Sequence, residues 1–319
     1  MNVRRSAAAA AVLAIGALGL SACTSSDEPD ATASATAGAT VDANACADAE
    51  TLETAAALES VEWNEGADGA PELAFESCLL FEDTGAMTLQ DGDGEEIADG
   101  TGASVSYVIY SGIDGSLVNS TYATGYTELL SVTEGLLDPT LYEQLVGAHV
   151  GAQIVYGSFD TTGSPIVMGV TVDKVTPLRA EGTAVAPADG LPTVTLGEDG
   201  TPSVDMSTAG DEPAELVAQT LIQGDGPEVE EGQTVTVQYA LSLWDGTEVE
   251  SSWANGVPIS FPLSTDNLIE GWVEGLAGVQ VGSQVLLIVP PELGYGDSET
   301  SSIPANSTLV FVIDVLDAV

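Results

Sequence analysis

The stretch Leu268-Ile269-Glu270-Gly271-Trp272 decides how the C-terminal third of this 319-residue chain is interpreted. Asn267 precedes the stretch and Glu270 follows three residues later, which is the spacing of a capping box. The pattern therefore predicts a short helix over residues 268–276 with Asn267 as its N-cap. Leu268, Trp272 and Leu276 would share one face of that helix, at i, i+4 and i+8. On this pattern alone, Trp272 is a core residue.

Five further motifs flank this stretch at close spacing. In chain order they are Val237-Gln238-Tyr239, Asp245-Gly246, Ser251-Ser252, Gly294-Tyr295-Gly296 and Thr308-Leu309-Val310-Phe311. This order resembles the FKBP-type peptidyl-prolyl isomerases over about the last hundred residues. The resemblance implies an α+β fold, in which a curved antiparallel β-sheet wraps on a short helix, and isomerase activity on proline-containing polypeptide clients.

The resemblance also implies which residues form the site. The family's Trp at the place of Trp272 forms the floor of the proline pocket. Tyr295 would lie on a flap loop and hydrogen-bond the substrate carbonyl, while the Ile269 backbone amide would supply a second donor. Tyr239 and Glu250 complete the predicted catalytic set. The predicted substrate-binding residues are Val249, Ile259, Phe261, Leu268, Ile303 and Phe311.

Three of these positions depart from the family's usual residues. Val249 stands where Phe is common, Glu250 where Asp is common, and Ile259 where an aromatic residue is common. The walls of the pocket are therefore predicted to be aliphatic. The alternative is a non-catalytic envelope lipoprotein whose FKBP-like domains bind clients without isomerising them.

The expected chemistry requires no cofactor. An X-Pro bond rotates over a barrier of roughly 18–20 kcal/mol because amide resonance must be broken, so a catalyst has to favour the twisted, less polar amide. A dry apolar pocket and a few hydrogen-bond donors can do this without a nucleophile or a metal ion.

An internal repeat indicates a second copy of the fold. Val105-Ser106-Tyr107 echoes Val237-Gln238-Tyr239, and the Gly-flanked segment 147–151 echoes 278–282. We therefore predict two FKBP-like domains, over residues 46–180 and 214–319, joined by a linker with extended Gly-x-Pro segments over 181–213. Because Leu141 falls opposite Trp272 and the Gly-Tyr-Gly flap is missing, the first copy is interpreted as degenerate. A second active domain of unusual sequence is the alternative.

The N-terminus has the pattern of a lipoprotein signal over residues 1–22. Arg4 and Arg5 precede a short apolar run, and Leu20-Ser21-Ala22-Cys23 resembles the lipobox cleaved before a lipidated Cys. Residues 23–45, rich in Ser, Thr, Ala and Asp, are predicted to be a flexible tether. The expected location is extracytoplasmic, with Cys23 anchored in the cell membrane. A plain secretory signal is the alternative.

Two further cysteines remain, Cys46 and Cys78. In an oxidising compartment they would most simply form one disulfide, although two separate buried thiols are also consistent with the sequence.

The charge excludes some functions. Beyond the signal, Lys174 and Arg179 stand against 50 acidic residues, a net charge near 2 − 50 = −48. Such a surface repels phosphate backbones, so nucleic-acid binding is not expected. The charge is interpreted as solubility outside the cell, with attraction of basic clients as a second interpretation.

The residue inventory excludes other chemistry. His149 is the only histidine, which argues against a Ser-His-Asp triad or a His-based metal site. The acidic run 91–96 lacks EF-hand spacing and is predicted to be an exposed loop.

Overall fold

The computed structural model describes residues 46–66 and 69–319. The predicted signal, the tether and Cys23 lie outside the described residues. Among the described residues, no helix combines the length and the apolar character needed to cross a membrane.

The first half of the described chain is mostly β-structure with two short helices. Its elements are β1 (Thr51–Leu52), α1 (Thr54–Glu59), β2 (Glu62–Glu65), β3 (Pro71–Ala74), β4 (Leu80–Phe81), β5 (Gly85–Gln90), β6 (Thr101–Ser111), β7 (Leu117–Ser120), β8 (Glu128–Val132), α2 (Pro139–Leu145), β9 (Gln153–Phe159) and β10 (Pro165–Thr176).

The second half has one α-helix. Its elements are β11 (Thr183–Ala184), β12 (Thr193–Leu196), β13 (Pro202–Asp205), β14 (Val217–Gln223), β15 (Thr234–Leu243), β16 (Glu248–Ser251), β17 (Ile259–Pro262), α3 (Glu270–Leu276), β18 (Gln284–Val289) and β19 (Leu309–Ala318).

The two halves build main sheets of the same antiparallel topology. The first sheet has the order β5-β9-β10-β6-β7, with β8 also paired to β6. The second has the order β14-β18-β19-β15-β16, with β17 paired to β15 and β11 added beside β14. In each half one helix follows the fourth of these shared strands: α2 lies between β8 and β9, and α3 lies between β17 and β18. The internal repeat seen in the sequence therefore corresponds to a repeated fold.

Irregularities in the strand ladders repeat as well. β6 and β15 each shift register against the following strand, after Ile109 and Leu241. The closing strands β10 and β19 each have a bulge, which lies one residue before Lys174 in β10 and one residue before Asp317 in β19. Lys174 pairs with Ser104 and Asp317 pairs with Thr236, and these two partners are equivalent in the repeat. A bulge re-aims the strand and raises its local twist, so its recurrence at the same position shows that the two sheets curve in the same way.

Each sheet is buried on both faces. The concave face of the second sheet packs against α3, with Trp272 and Leu276 in its core. The other face carries a separate apolar cluster of Leu286, Ile288, Val310 and Val312, which is covered by side chains of the β12–β13 hairpin and the residues flanking it. The prediction of a linker over 181–213 is therefore incomplete, because this segment supplies a layer of the second domain. Val194 and Val204 pair across the two strands of the hairpin, and both lie on the side of the hairpin that packs on this cluster.

The first sheet is covered in the same manner by residues 46–81. The β2–β3 hairpin, with Trp63 and Leu73, packs with α1 over Val108, Val155 and Val167. The Gly-x-Pro segments at 69–71 and 200–202 thus lead into the second strand of a covering hairpin in both halves. A disulfide joins Cys46 to Cys78, with Cα atoms 5.4 Å apart, and links the start of this covering segment to its end.

The acidic run 91–96 has a structural role that its exposure did not suggest. Gly92 and Gly94 lie against the 147–151 turn, as Gly224 and Gly226 lie against the 278–282 turn. A Cβ added at Gly92 would stand 2.0 Å from the Val150 carbonyl oxygen, and one at Gly224 would stand 2.3 Å from the Val281 carbonyl oxygen. The Gly-Asp-Gly motif, at 92–94 and 224–226, is therefore a further part of the repeat, which was not recognised from the sequence.

The two domains meet through equivalent strands. Lys174 Nζ donates to Asp317 Oδ1 at 2.6 Å, and Ser104 Oγ lies 3.5 Å from Asp317 Oδ2. A second contact runs from Ser131 Oγ to the Gly256 carbonyl oxygen, at 3.2 Å. Because Lys174 and Asp317 hold the same position in the two sheets, the closing strands face each other across the interface.

Candidate functional site

Four aromatic rings on the concave face of the second sheet form the floor of a cavity. Trp272, 4% exposed, lies at the centre and meets the rings of Tyr239, Phe261 and Phe311 edge-on, with centroid distances of 5.6, 5.7 and 5.4 Å. Edge-to-face contacts of this kind hold aromatic rings in fixed orientations. The four rings come from one helix, α3, and three strands, β15, β17 and β19, and the sheet curvature brings them together.

The helix that carries Trp272 lies unusually close to the sheet. Gly271 and Gly275 face β18, where an added Cβ would stand 2.5 Å from Val289 Cγ1 and 2.2 Å from Leu287 Cδ1. Glycine weakens a helix by about 1 kcal/mol relative to alanine, so these residues trade helix stability for close approach. The approach places the indole of Trp272 deep in the domain.

The predicted start of this helix is wrong by two residues. α3 begins at Glu270, and Ile269 is its N-cap without a side-chain capping bond. Asn267 is not the cap, because its side chain donates to Ser264 Oγ at 2.8 Å within the preceding turn. Leu268 also belongs to that turn, since its N–H donates to the Ser264 carbonyl.

Tyr239 and Glu250 are joined across the wall of the cavity. The Tyr239 hydroxyl donates to Glu250 Oε1 at 2.8 Å, and β16 carries Glu250 next to β15. Burial of the phenol is the main cause that raises the pKa of Tyr239 above its ordinary value, and the hydrogen bond to the Glu250 carboxylate raises it further. The phenol therefore stays protonated and acts as a fixed donor.

Two donors stand at the mouth. Tyr295 is 43% exposed and lies in the 290–308 connection between β18 and β19. The Ile269 N–H, at the start of α3, donates to no acceptor within residues 46–66 and 69–319. Both groups are free to bind a ligand carbonyl.

The cavity is open to solvent at its rim and has a volume of about 800 Å³, which suits a short peptide segment. Eight of the predicted site residues line it: Tyr239, Glu250, Phe261, Leu268, Ile269, Trp272, Tyr295 and Phe311. The other three, Val249, Ile259 and Ile303, pack against the adjoining hydrophobic core and are not among the lining side chains. Val249 and Ile259 pack against the same hydrophobic core as the aromatic rings, and the aliphatic walls expected at these two positions stay a prediction.

Several residues that line the cavity were not predicted from the sequence. Leu241, Thr265, Asp266, Asn267, Glu270 and Gly294 complete the wall. Leu241 could have been found from its i+2 spacing to Tyr239 on β15, since alternate residues of a strand share a face. The loop residues Thr265 and Asp266 carried no comparable signal.

The first domain differs at the equivalent positions. Strand register and helix alignment place Leu141 at the position of Trp272, Met168 at that of Phe311 and Asn119 at that of Glu250. The connection between β9 and β10 spans only residues 160–164, which leaves no place for a counterpart of Tyr295.

Metal chemistry has no evident location in the described part of the chain. No group of three or more His, Cys, Asp or Glu side chains there lies close enough to hold an ion. His149 instead pairs with Asp91, with Nδ1 and Oδ2 3.0 Å apart, where the second domain pairs Gln280 with Gln223.

Comparison with known proteins shows which family this domain resembles. Residues 226–316 match the family described as FKBP-type peptidyl-prolyl cis-trans isomerase. The FK506-binding protein of Streptomyces anulatus is 38% identical over 118 residues, which cover 94% of that protein and 36% of this chain. The chain belongs to the FKBP family.

A longer FKBP relative is also similar. FkpA of Escherichia coli K12, an FKBP-type peptidyl-prolyl cis-trans isomerase, is 43% identical over 102 residues, or 32% of this chain. The chain spans 37% of the length of that relative. The crystal structure of FkpA is 37% identical and covers 39% of this chain and 51% of that chain, with a TM-score of 0.31. The family match, over residues 226–316, lies in the second domain.

Proposed function

We propose that this protein is a peptidyl-prolyl cis-trans isomerase whose second domain binds X-Pro segments of polypeptide clients. The observation that carries the proposal is the cavity floored by Trp272, with an aromatic base and two hydrogen-bond donors, the Ile269 N–H and the Tyr295 hydroxyl, at its rim. Such a cavity removes water from a bound proline ring and its amide, and this favours the twisted amide, which is less polar than the planar one.

The roles of the residues follow from their placement. Trp272, Phe261 and Phe311 would contact the proline ring, since their rings form the buried floor. The Ile269 N–H and the Tyr295 hydroxyl would hold the peptide carbonyls on either side. Tyr239 and Glu250, bonded to each other, would fix the wall without exchanging protons with the substrate. The reaction breaks no covalent bond, so general acid–base chemistry is not required.

The first domain is proposed to be a degenerate FKBP domain without this activity. Leu141 in place of Trp272 lacks the flat aromatic surface, and the short β9–β10 connection provides no flap. Its contribution would be structural or in client binding.

The proposed location is outside the cytoplasm, with Cys23 lipidated and residues 23–45 as a tether, where the enzyme would assist folding of secreted or envelope proteins. The lipobox-like Leu20-Ser21-Ala22-Cys23 supports this proposal. Cys23→Ser should release the protein from the membrane fraction or leave it unprocessed. Recovery of a processed, lipid-modified variant in membranes would refute the anchor.

The activity is tested by cis-trans exchange of an X-Pro peptide, measured by NMR with the full chain. Trp272→Leu keeps an apolar side chain but removes the flat floor, so we expect exchange catalysis to fall at least about tenfold. Trp244→Leu is the matched control, because Trp244 packs on the opposite face of the same sheet. A wild-type chain that binds the peptide but does not accelerate exchange would instead identify the non-catalytic client-binding protein.

A further inference from the structure

The charged side chains that line the cavity all have the same sign. They are Glu250 on β16, Asp266 in the turn before α3, and Glu270 in the first turn of α3. All three are exposed, and they stand on a strand, a turn and a helix around the aromatic floor. A ligand bound on the apolar floor would therefore have these carboxylates beside it.

No basic side chain of the second domain neutralises this rim. Neither Lys, Arg nor His occurs after Arg179 in the sequence. The two ion pairs found among the described residues, His149 with Asp91 and Lys174 with Asp317, lie outside the cavity lining. Arg179 lines a separate, smaller cavity with Glu181 and Asp225. The rim carboxylates therefore have no counter-ion within the described chain.

We propose that the cavity selects X-Pro segments that carry Lys or Arg directly beside the proline. The proposal rests on the proposed isomerase function and names its preferred substrate class. A cation next to the bound proline supplies the charge that the rim lacks, and its aliphatic stem packs against apolar lining such as Leu268 or Leu241. Acidic neighbours are disfavoured by the same field.

This preference belongs to the rim and is separate from the overall charge. The net charge attracts any basic chain at long range, but that attraction is screened beyond a Debye length of about 10 Å at 0.1 M salt. Carboxylates that line the cavity act within contact distance of the residues flanking the proline. A change at the rim should therefore alter selection, whereas an equal change elsewhere on the same helix should not.

The experiment compares kcat/KM for three peptide series with the full chain. One residue flanking the proline, first before and then after it, is Lys, norleucine or Glu; norleucine matches the Lys stem without its charge. We expect kcat/KM to be about tenfold higher for Lys than for norleucine at low salt at one or both positions, and lowest for Glu. The Lys preference should shrink strongly in about 1 M salt, where the Debye length is near 3 Å.

Variants then assign the preference. Glu270→Gln should reduce the Lys-to-norleucine ratio at least about twofold, and Asp266→Asn combined with Glu270→Gln at least about threefold. Glu274→Gln is the matched control, because Glu274 lies exposed on α3 outside the cavity lining and should leave the ratio unchanged.

Each outcome is decisive. Equal kcat/KM for Lys and norleucine peptides, with norleucine turned over normally, overturns this inference and leaves the isomerase proposal intact. A Lys preference that falls equally in Glu274→Gln assigns it to net charge and overturns the role of the rim. Absence of catalysis on every peptide overturns the proposed function itself.

Discussion

Tyr295 and Glu250 are expected to make modest contributions to turnover, because neither transfers a proton. Tyr295→Phe removes one neutral hydrogen bond, worth about 0.5–1.5 kcal/mol, so kcat/KM should fall by up to about tenfold. Glu250→Gln retains an oxygen that can accept from Tyr239 and should have a smaller effect. The rate of peptide exchange should stay nearly constant between about pH 6 and pH 8.

The same variants can show that this view is incorrect. A steep pH dependence of kcat/KM that disappears in Glu250→Gln, together with an unchanged rate in Trp272→Leu, would show that acid–base chemistry carries the reaction.

Asp314 makes stability depend on pH. Its carboxylate, 2% exposed, accepts from the Ala180 N–H and from Gln284 Nε2, each at 2.7 Å. Burial outweighs these bonds and raises the pKa of Asp314 to about 6. Because protonation favours the folded state, the contribution of Asp314 is fully present below about pH 4 and is lost as the pH rises through about 6.

Asp314→Asn is neutral at every pH and therefore removes this titration. Between pH 4 and pH 7, the unfolding free energy of the wild type should fall relative to the variant by on the order of 3 kcal/mol, measured by urea unfolding. Asp245→Asn is the control of opposite sign. Hydrogen bonds from Thr247 lower the pKa of Asp245, so its contribution is present above the ordinary pKa and is lost as the pH falls. A wild-type stability that rises relative to Asp314→Asn over this range would contradict the assignment.

The close contact of α3 with β18 is the packing feature on which the site depends. Gly275→Ala adds a methyl group 2.2 Å from Cδ1 of the fully buried Leu287. Helix propensity gains about 1 kcal/mol, but overpacking costs about 1–3 kcal/mol, so we expect a net loss of stability and lower catalysis as Trp272 moves.

Two variants sharpen this prediction. Glu274→Ala changes an exposed residue of the same helix and should leave the unfolding free energy within about 0.5 kcal/mol of the wild type. Leu287→Val in the Gly275→Ala background makes room and should recover part of the loss. An unaltered Gly275→Ala protein would mean that α3 shifts without consequence for the site.

The hairpins that cover the sheets extend the repeat beyond its core. β2–β3 and β12–β13 differ in sequence, yet each buries the outer face of its sheet. A curved sheet with one face on a helix would otherwise expose apolar residues such as Ile288 and Val312. The covering layer therefore explains why the central strands of each sheet, such as β18 and β19, are apolar on both faces.

The two domains are joined by a charged contact between their closing strands. Lys174 reaches Asp317, whose side chain is 6% exposed, and Ser104 completes the cluster. Lys174→Met leaves that carboxylate without its cation, and we expect a loss of about 1–3 kcal/mol in unfolding free energy.

A double-mutant cycle tests the coupling. Asp317→Asn alone and with Lys174→Met should give an interaction energy of at least about 1 kcal/mol, measured by urea unfolding of the full chain. Additive effects of the two substitutions would show that the domains do not depend on this pair.

Much of the site in the second domain could be predicted from the sequence, because the order and spacing of its motifs are local properties of the chain. The Trp272 helix, the Tyr239 strand, the Gly-Tyr-Gly segment and the repeat all follow from short patterns. Eight of eleven predicted site residues line the cavity for this reason. The short range of these patterns also explains the misplaced N-cap, since the Ser264 turn competes for Asn267.

Other properties were decided only by tertiary structure. Whether Val249 or Leu241 lines the cavity depends on how β15 and β16 bulge and turn their faces. The covering role of 193–205, the close packing of Gly92 and Gly224, and the Lys174–Asp317 pair each join segments far apart in the chain. Local composition determines which strands and helices can form. Only the packing of the whole sheet determines which of their side chains meet, because burial and electrostatics depend on neighbours in space.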